Sequence, residues 1–349
     1  IWKMDFDSES GQVTSAPRAL PSPTEFAGQL DVSRLNNSMV FVSNFTQFIQ
    51  NRIKINLETF AATSVPEIVL DEGVIYNSLR VNSTGDKGTF SGGPMRRMNI
   101  YMINPDGTGM RRLTNDRFRN IQPRFTPDSE NLIFTSNRSG SYETWEIGID
   151  GGRLRQLTDG WNTFNAPIER PETGEYIVFR FNEEQWYLLP AGSERVGRDE
   201  FEPMPKVNKD TGDWMMPEAC TSDGSQVIGI VSQARTNTSD PSSSLGIGVF
   251  DFETESYKVI HIASVKNSNT LGLTLAPDDS HVIFGNNTQI WVLNLETGEE
   301  RQILEVQSLE NQTGFTITTD GYLYYCTSRD ERNIWLSKIE DVPMQTTDN

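Results

Sequence analysis

The chain has 349 residues and carries 48 Asp and Glu against 30 Lys and Arg, a net charge of −18. That balance excludes a general nucleic-acid binder, which needs clustered cations for phosphate, and argues against docking on anionic lipid. Apolar residues make up 36% and aromatics 10%, enough for a packed core, and runs such as Tyr176-Ile177-Val178-Phe179 fall far short of a membrane span.

The chain begins at Ile1 rather than Met and shows no basic-then-apolar leader, as expected of a processed or excised chain. Its opening reads as a strand, with Ile1, Lys3 and Asp5 on one side and Trp2, Met4 and Phe6 on the other. A second strand is expected over Val13–Leu20. From Asn36 onward one unit recurs at intervals of about 40–60 residues. Each copy opens with a tight polar turn and a strand-like run. The clearest are Thr126-Pro127-Asp128-Ser129 before Asn131-Leu132-Ile133-Phe134, Thr221-Ser222-Asp223-Gly224 before Gln226-Val227-Ile228, Ala276-Pro277-Asp278-Asp279 before His281-Val282-Ile283-Phe284, and Thr318-Thr319-Asp320-Gly321 before Tyr322-Leu323-Tyr324-Tyr325. Weaker copies sit near Asn36, Asp86 and Thr173. Pro presets φ, Asp caps its own backbone, and Gly accepts φ > 0, so these turns have a physical basis. An aromatic-tagged strand follows, as at Ile100-Tyr101, Trp145, Trp186-Tyr187, Trp291 and Trp335. A second turn and a short last strand, such as Arg111-Arg112-Leu113-Thr114 and Arg155-Gln156-Leu157-Thr158, complete the unit.

Four short antiparallel strands per unit describe a β-propeller blade, and packing blades face to face buries both apolar faces of each. The stretch from Asn99 to Phe179 resembles the TolB-like, or PD40-type, β-propeller family, through Asn99-Ile100-Tyr101, Arg111-Arg112-Leu113-Thr114, Pro123-Arg124-Phe125-Thr126-Pro127-Asp128 and Thr135-Ser136-Asn137-Arg138-Ser139-Gly140. The expected fold is all-β: one domain over 1–349, a seven-bladed propeller of four-stranded antiparallel blades. Val13–Leu20 is expected to complete the last blade of Gly314–Ile339, leaving one surplus terminal strand. That strand has three readings: a fifth strand outside the closing blade, part of an eight-bladed ring, or a strand donated to a neighbouring molecule through Ile1, Trp2, Met4 and Phe6. Loop insertions are read at 193–213 and 233–245.

Cys220 and Cys326 are too few for a disulfide framework and, with His261 and His281, make no zinc pattern. No cofactor is expected. Clustered Asp oxygens at a turn suit calcium, but no DxDxDG spacing supports it. In a propeller the first strand of each blade lines the central channel, which places Gln122, Arg124, Asn165, Glu169, Glu218 and Thr274 there. The resemblance implies a partner-binding module that uses the mouth of this channel and works outside the cytoplasm. The leading reading is therefore non-enzymatic: an exported interaction or structural module whose partners are other proteins or copies of itself, with neither nucleic-acid binding nor membrane insertion. The alternatives are a sensing propeller from a larger membrane receptor or kinase, and a carbohydrate-active lyase, for which His261 and His281 assemble no cluster. Seven Asn-x-Ser/Thr sequons, at Asn36, Asn44, Asn82, Asn137, Asn237, Asn286 and Asn311, are candidate glycan acceptors.

Overall fold

The computed structural model describes residues 2–5, 7, 9–10, 12–19, 28–33, 38–71, 79–94, 96–163, 167–180, 183–197, 201, 203–207, 213–232, 245–263, 272–286, 288–309 and 314–338. The chain divides into two compact units, Ile1–Gln47 with Arg329–Asn349, and Phe48–Ser328. No α-helix occurs among the described residues.

In the smaller unit, β1 (Trp2–Lys3) pairs antiparallel with β2 (Arg18–Ala19). The hairpin between them is tied by Thr14 NH to Asp5 O and Asp7 NH to Gln12 O. Next, β3 (Gly28–Ser33) pairs antiparallel with the first part of β4 (Ser38–Lys54).

The larger unit is a six-bladed β-propeller. Strand β5 (Glu67–Leu70) pairs with the later part of β4. Blade I comprises β6 (Arg80–Val81), β7 (Gly88–Gly92), β8 (Asn99–Ile103) and β9 (Arg111–Arg112). Blade II comprises β10 (Asn120–Phe125), β11 (Asn131–Ser136), β12 (Glu143–Gly148) and β13 (Arg155–Gln156). A short strand β14 (Thr158–Asp159) leads into blade III, which is β15 (Ile168–Glu169), β16 (Tyr176–Arg180) and β17 (Gln185–Leu189); β18 (Val196–Gly197) then pairs parallel with β14. Blade IV is β19 (Trp214–Cys220), β20 (Gln226–Ser232), β21 (Leu245–Asp251) and β22 (Ser256–Ala263). Blade V is β23 (Leu273–Leu275), β24 (His281–Asn286), β25 (Gln289–Asn294) and β26 (Glu300–Glu305). Blade VI is composite: β27 (Thr316–Ile317) and β28 (Tyr322–Lys338) come from the C-terminal side, and β4 from Phe48 onward, with β5, from the N-terminal side.

The ring follows from strands buried on both faces. In β11, Leu132 and Phe134 pack with Ile100 and Met102 of blade I, while Ile133 between them packs with Tyr176 and Val178 of blade III. In β20, Val227 and Val231 meet Ile177 and Phe179 of blade III, and Ile228 and Ile230 meet Val282 and Phe284 of blade V. Ile283 and Val292 of blade V meet Leu323 and Tyr325 of blade VI, and Tyr324 on the opposite face joins Leu79, Val81 and Phe90 of blade I. Every adjacent pair, VI and I included, therefore shares an apolar cluster. Each fully buried Val, Leu, Ile or Phe contributes roughly 1.5–3 kcal/mol.

The seam of blade VI is sewn by side chains as well as the ladder. Gln50 Nε2 donates to Cys326 Sγ (3.2 Å), Asn51 Nδ2 donates to Thr327 Oγ1 (2.9 Å), and Gln50 Oε1 accepts Leu79 NH of blade I (2.9 Å). This corrects the expected closure: β2, within Val13–Leu20, pairs with β1, and the blade carrying β27 and β28 is completed by β4 and β5. The blade count differs for the same reason. Met39 and Ile53 lie on one unbroken strand of 17 residues, and so do Tyr322 and the aromatic-tagged run at Trp335, which was expected as a separate strand. The hairpin near Asn36 therefore founds no blade, and the described sheets make six.

The recurring turn works as its residues suggest. Thr126 Oγ1 donates to Asp128 Oδ1 (2.6 Å) and accepts Asn131 NH (3.1 Å), while Asp128 Oδ1 accepts Glu130 NH (2.9 Å). Thr221 and Asp223 repeat the bond at 2.7 Å, and Thr318 with Asp320 makes it again. Bonds to its charged form, from Ser225 NH first and then from Thr221 Oγ1, hold the Asp223 carboxylate down at about 2. Gly224 closes its turn at φ +66°, where a Cβ would lie 2.4 Å from Pro171 O of blade III. Gly224→Ala is therefore expected to lower the urea midpoint, by about 1–3 kcal/mol in stability, since it combines left-handed strain with a backbone clash.

Within the insertion 193–213, several of the described side chains pack against the core. Val196 and Phe201 join the cluster of Trp161, while Met204 and Val207 join that of Trp186. Met204 NH donates to Trp186 O of β17 at 2.9 Å, and the sheet of blade III has three strands among the described residues. Most of the insertion 233–245 lies outside the described residues.

Candidate functional site

The first strands of the blades are neighbours around the axis of the larger unit, β15, β19, β23, β27, β6 and β10 each touching the next in that order. Two of them carry a proline that breaks the ladder. Pro123 sits in β10 and Pro217 in β19, and the pairing register shifts between Ile121 and Arg124 and between Pro217 and Ala219. A proline cannot donate to a ladder, and a bulge re-aims the side chain beside it. In β10, Gln122 takes φ +54°. The side chains so aimed are Arg124 and Glu218. Arg124 Nη2 meets Glu218 Oε2 at 2.8 Å, and Nη1 donates to Glu218 O at 2.7 Å. Blade III lies between blades II and IV, so this ion pair reaches past β15 across the channel.

Arg80 of β6 joins this pair, although its channel position was not read from the sequence. Its Nη1 donates to Phe315 O at 2.8 Å. Burial, and secondarily the like charge of Arg124, brings its guanidinium down to about 9, with Glu218 opposing. The signal was present as Leu79-Arg80-Val81 ahead of the Ser83–Asp86 turn, inside a stretch too degraded to register as a first strand.

Glu169 of β15 is partly buried, and burial followed by the charges of Asp128 and Glu146 raises its carboxyl to about 7, against relief from Arg155. Glu146 itself is committed: Arg155 grips it through Nε (3.1 Å) and Nη2 (2.8 Å), and Tyr176 Oη donates to it at 2.9 Å. A carboxyl with a raised folded value holds its proton more tightly when folded. Its stabilisation is present below the usual 4.5 and is lost as pH rises through about 7. Glu169→Gln should therefore melt higher than the native chain at about pH 8 and alongside it at about pH 4, as read by thermal unfolding across that range.

The other sequence-selected positions are dispersed. Thr274 lies in β23 opposite Ile283, and Asn165 lies outside the described residues. Trp2 is paired with Ala19 and Met4 is half exposed, whereas Ile1 and Phe6 lie outside the described residues. Among the sequons, Asn82 is buried and its amide donates to Thr84 Oγ1 (2.8 Å) and Asp86 Oδ1 (2.7 Å), so a glycan there would dismantle the turn. Asn137 is partly exposed, with its Oδ1 accepting Arg119 NH. Asn44 and Asn286 fall within β4 and β24, and Asn36, Asn237 and Asn311 lie outside the described residues.

His281 takes part in a closed local cluster. Its Nδ1 meets both Asp278 Oδ2 (2.7 Å) and Ser280 Oγ (2.9 Å), and Nε2 faces Asn294 Nδ2 (3.0 Å). Asp and Ser share one ring nitrogen, so this is not the relay in which His links a nucleophile to an orienting acid through opposite nitrogens. His261 lies in β22. Cys220 and Cys326 are both thiols rather than disulfide partners, and burial pushes the Cys220 thiol up to about 12, which makes it a poor nucleophile. Among the described residues no three His, Cys, Asp or Glu side chains assemble as a metal site, and no helix is long and apolar enough to cross a membrane.

No family model matches the chain. The Tol-Pal system protein TolB of Bordetella pertussis is 43% identical over 54 residues, 15% of this chain and 12% of that protein, so the matched stretch spans about an eighth of the relative's length. Among solved structures, TolB from Acinetobacter baumannii superimposes with a TM-score of 0.56 at 15% identity, covering 74% of this chain and 64% of that one. A chain of the nidogen/laminin complex superimposes with a TM-score of 0.52 at 12% identity, covering 81% and 98% respectively.

Proposed function

We propose, from the TolB-like propeller family that the sequence matches and the shared fold support, that this chain is a non-enzymatic protein-interaction module working outside the cytoplasm. It takes its partner at the channel of the larger unit. The observation that carries this reading is the convergence of Arg80, Arg124 and Glu218 on the axis, two of them aimed there by proline bulges. Charged side chains maintained at a bulge cost ladder hydrogen bonds, and a rigid scaffold that keeps them on its axis suits recognition. In-cell photo-crosslinking from benzoylphenylalanine at Thr274, with exposed Val65 as the control site, tests it. A discrete protein adduct from position 274, absent from 65, is the expected result. Equal labelling from both, or none from 274, overturns it.

Self-assembly is a second reading, favoured by the hairpin β1–β2, which takes no third strand among the described residues, and by Ile334 on β28, which is 78% exposed. Because Trp2 and Lys3 already pair with Ala19 and Arg18, donation of that strand to another molecule would first have to break this hairpin. Light scattering of the full chain against one lacking residues 1–6 decides the matter: loss of an oligomer supports donation, and an unchanged mass removes it.

A further inference from the structure

We infer that the channel holds a carboxylate-binding site built on Arg80 and Arg124. This deepens the interaction-module reading and rests on it: the partner segment that enters the channel presents an acidic side chain or a free C-terminus. Three first strands bring two guanidiniums and one carboxylate together, so the cluster carries an excess positive charge within a chain of net charge −18. Arg124 is spoken for by Glu218 through two bonds. Arg80 is not. Its Nη1 is spent on Phe315 O, and among the described residues its Nε and Nη2 find no acceptor and it forms no ion pair. Those two nitrogens form the side-on fork of a guanidinium, whose spacing matches the two oxygens of a carboxylate. A partly buried fork with a repelling cation nearby and no counter-ion of its own is stabilised by any anion that completes it. The same enclosure strengthens the attraction relative to water.

Specificity follows from the surroundings. The overall acidity opposes non-specific attraction of a polyanion, so affinity for one must be local to the cluster. Glu218 competes for the same cations, which fixes the sign of a second variant.

The probes are acetate and tetraglutamate, titrated into the full chain by calorimetry. Tetraglutamate is expected to bind, with affinity falling at least tenfold in Arg80→Met, partly returning in Arg80→Lys, and rising several-fold in Glu218→Gln. Circular dichroism of each variant checks folding, and Glu218→Gln keeps the inference testable if Arg80→Met fails to fold, because it predicts a gain. Acetate binding as tightly as the peptide identifies a small organic acid as the source of the carboxylate; a peptide advantage identifies a partner segment. No binding of either probe, or affinities indifferent to Arg80 and Glu218, overturns the site. A crosslinked partner at Thr274 whose capture survives Arg80→Met would leave the interaction module standing and remove only the carboxylate site.

Discussion

Replacing Glu143 with Ala is expected to cost about 3–5 kcal/mol of stability, read as a large fall in the denaturation midpoint. Glu143 opens β12 with no exposed surface, yet its carboxylate is fully occupied. Oε1 accepts Ser141 Oγ (2.7 Å) and Asn162 NH (3.3 Å), and Oε2 accepts Thr158 Oγ1 (2.7 Å) and Trp161 NH (3.2 Å). Removing it strands four donors, two of them on the backbone that carries Trp161 into the interface of blades II and III. Glu143→Gln should fall between, since an amide keeps one acceptor and turns its NH₂ towards groups that also donate. A midpoint unchanged by the Ala variant would mean that water replaces the carboxylate without loss.

The second large effect is expected at Arg138. Its guanidinium lies 4.9 Å from the centre of the Trp145 ring and 5.5 Å from that of Phe134. Around its edge it bonds Asp116 Oδ2 (3.1 Å), Asn120 Oδ1 (2.8 Å) and Ser136 Oγ (3.0 Å). Arg138→Met keeps much of the packing volume but leaves the Asp116 carboxylate without its cation and buried Asn120 short of a donor. A loss of about 2–4 kcal/mol follows, less on Arg138→Lys, which keeps charge but not the planar fork. Binding of tetraglutamate at the channel should be unaffected so long as the variant folds, which separates this arginine from Arg80.

Both residues belong to the repeat from which the family resemblance was read, and this explains what was legible. The Leu-Thr that ends a blade is a clamp: Thr114 and Thr158 accept Ile100 NH and Thr144 NH and donate to Asn99 and Glu143. Thr126-Pro127-Asp128 wires a turn, and Asn137-Arg138 staples a strand end. Such motifs are local, so their chemistry can be read from neighbouring residues, and they specify blades. Ring closure depends on pairing between residues such as Asn51 and Thr327, which no local pattern announces. The strand expected at Trp335 proved to be the continuation of the strand from Tyr322 for a visible reason. As in 43–49 of β4, no Gly or Pro in 326–333 ends the strand. At the site, the pattern placed Arg124 and Glu218 on first strands, but their mutual bond joins residues 94 positions apart. Arg80 escaped because its strand is two residues long.

The composite sixth blade also sets the order in which the molecule can be completed. During synthesis β4 and β5 emerge early with one edge of β4 unpaired, and blades I to V can form while that edge waits. Only when the stretch around Tyr322–Ser328 has emerged can the ring shut, through contacts about as distant in sequence as the propeller allows. A chain arrested before that point would present an open β edge and an uncovered apolar face on each end blade, the conditions under which nascent sheets find the wrong neighbour.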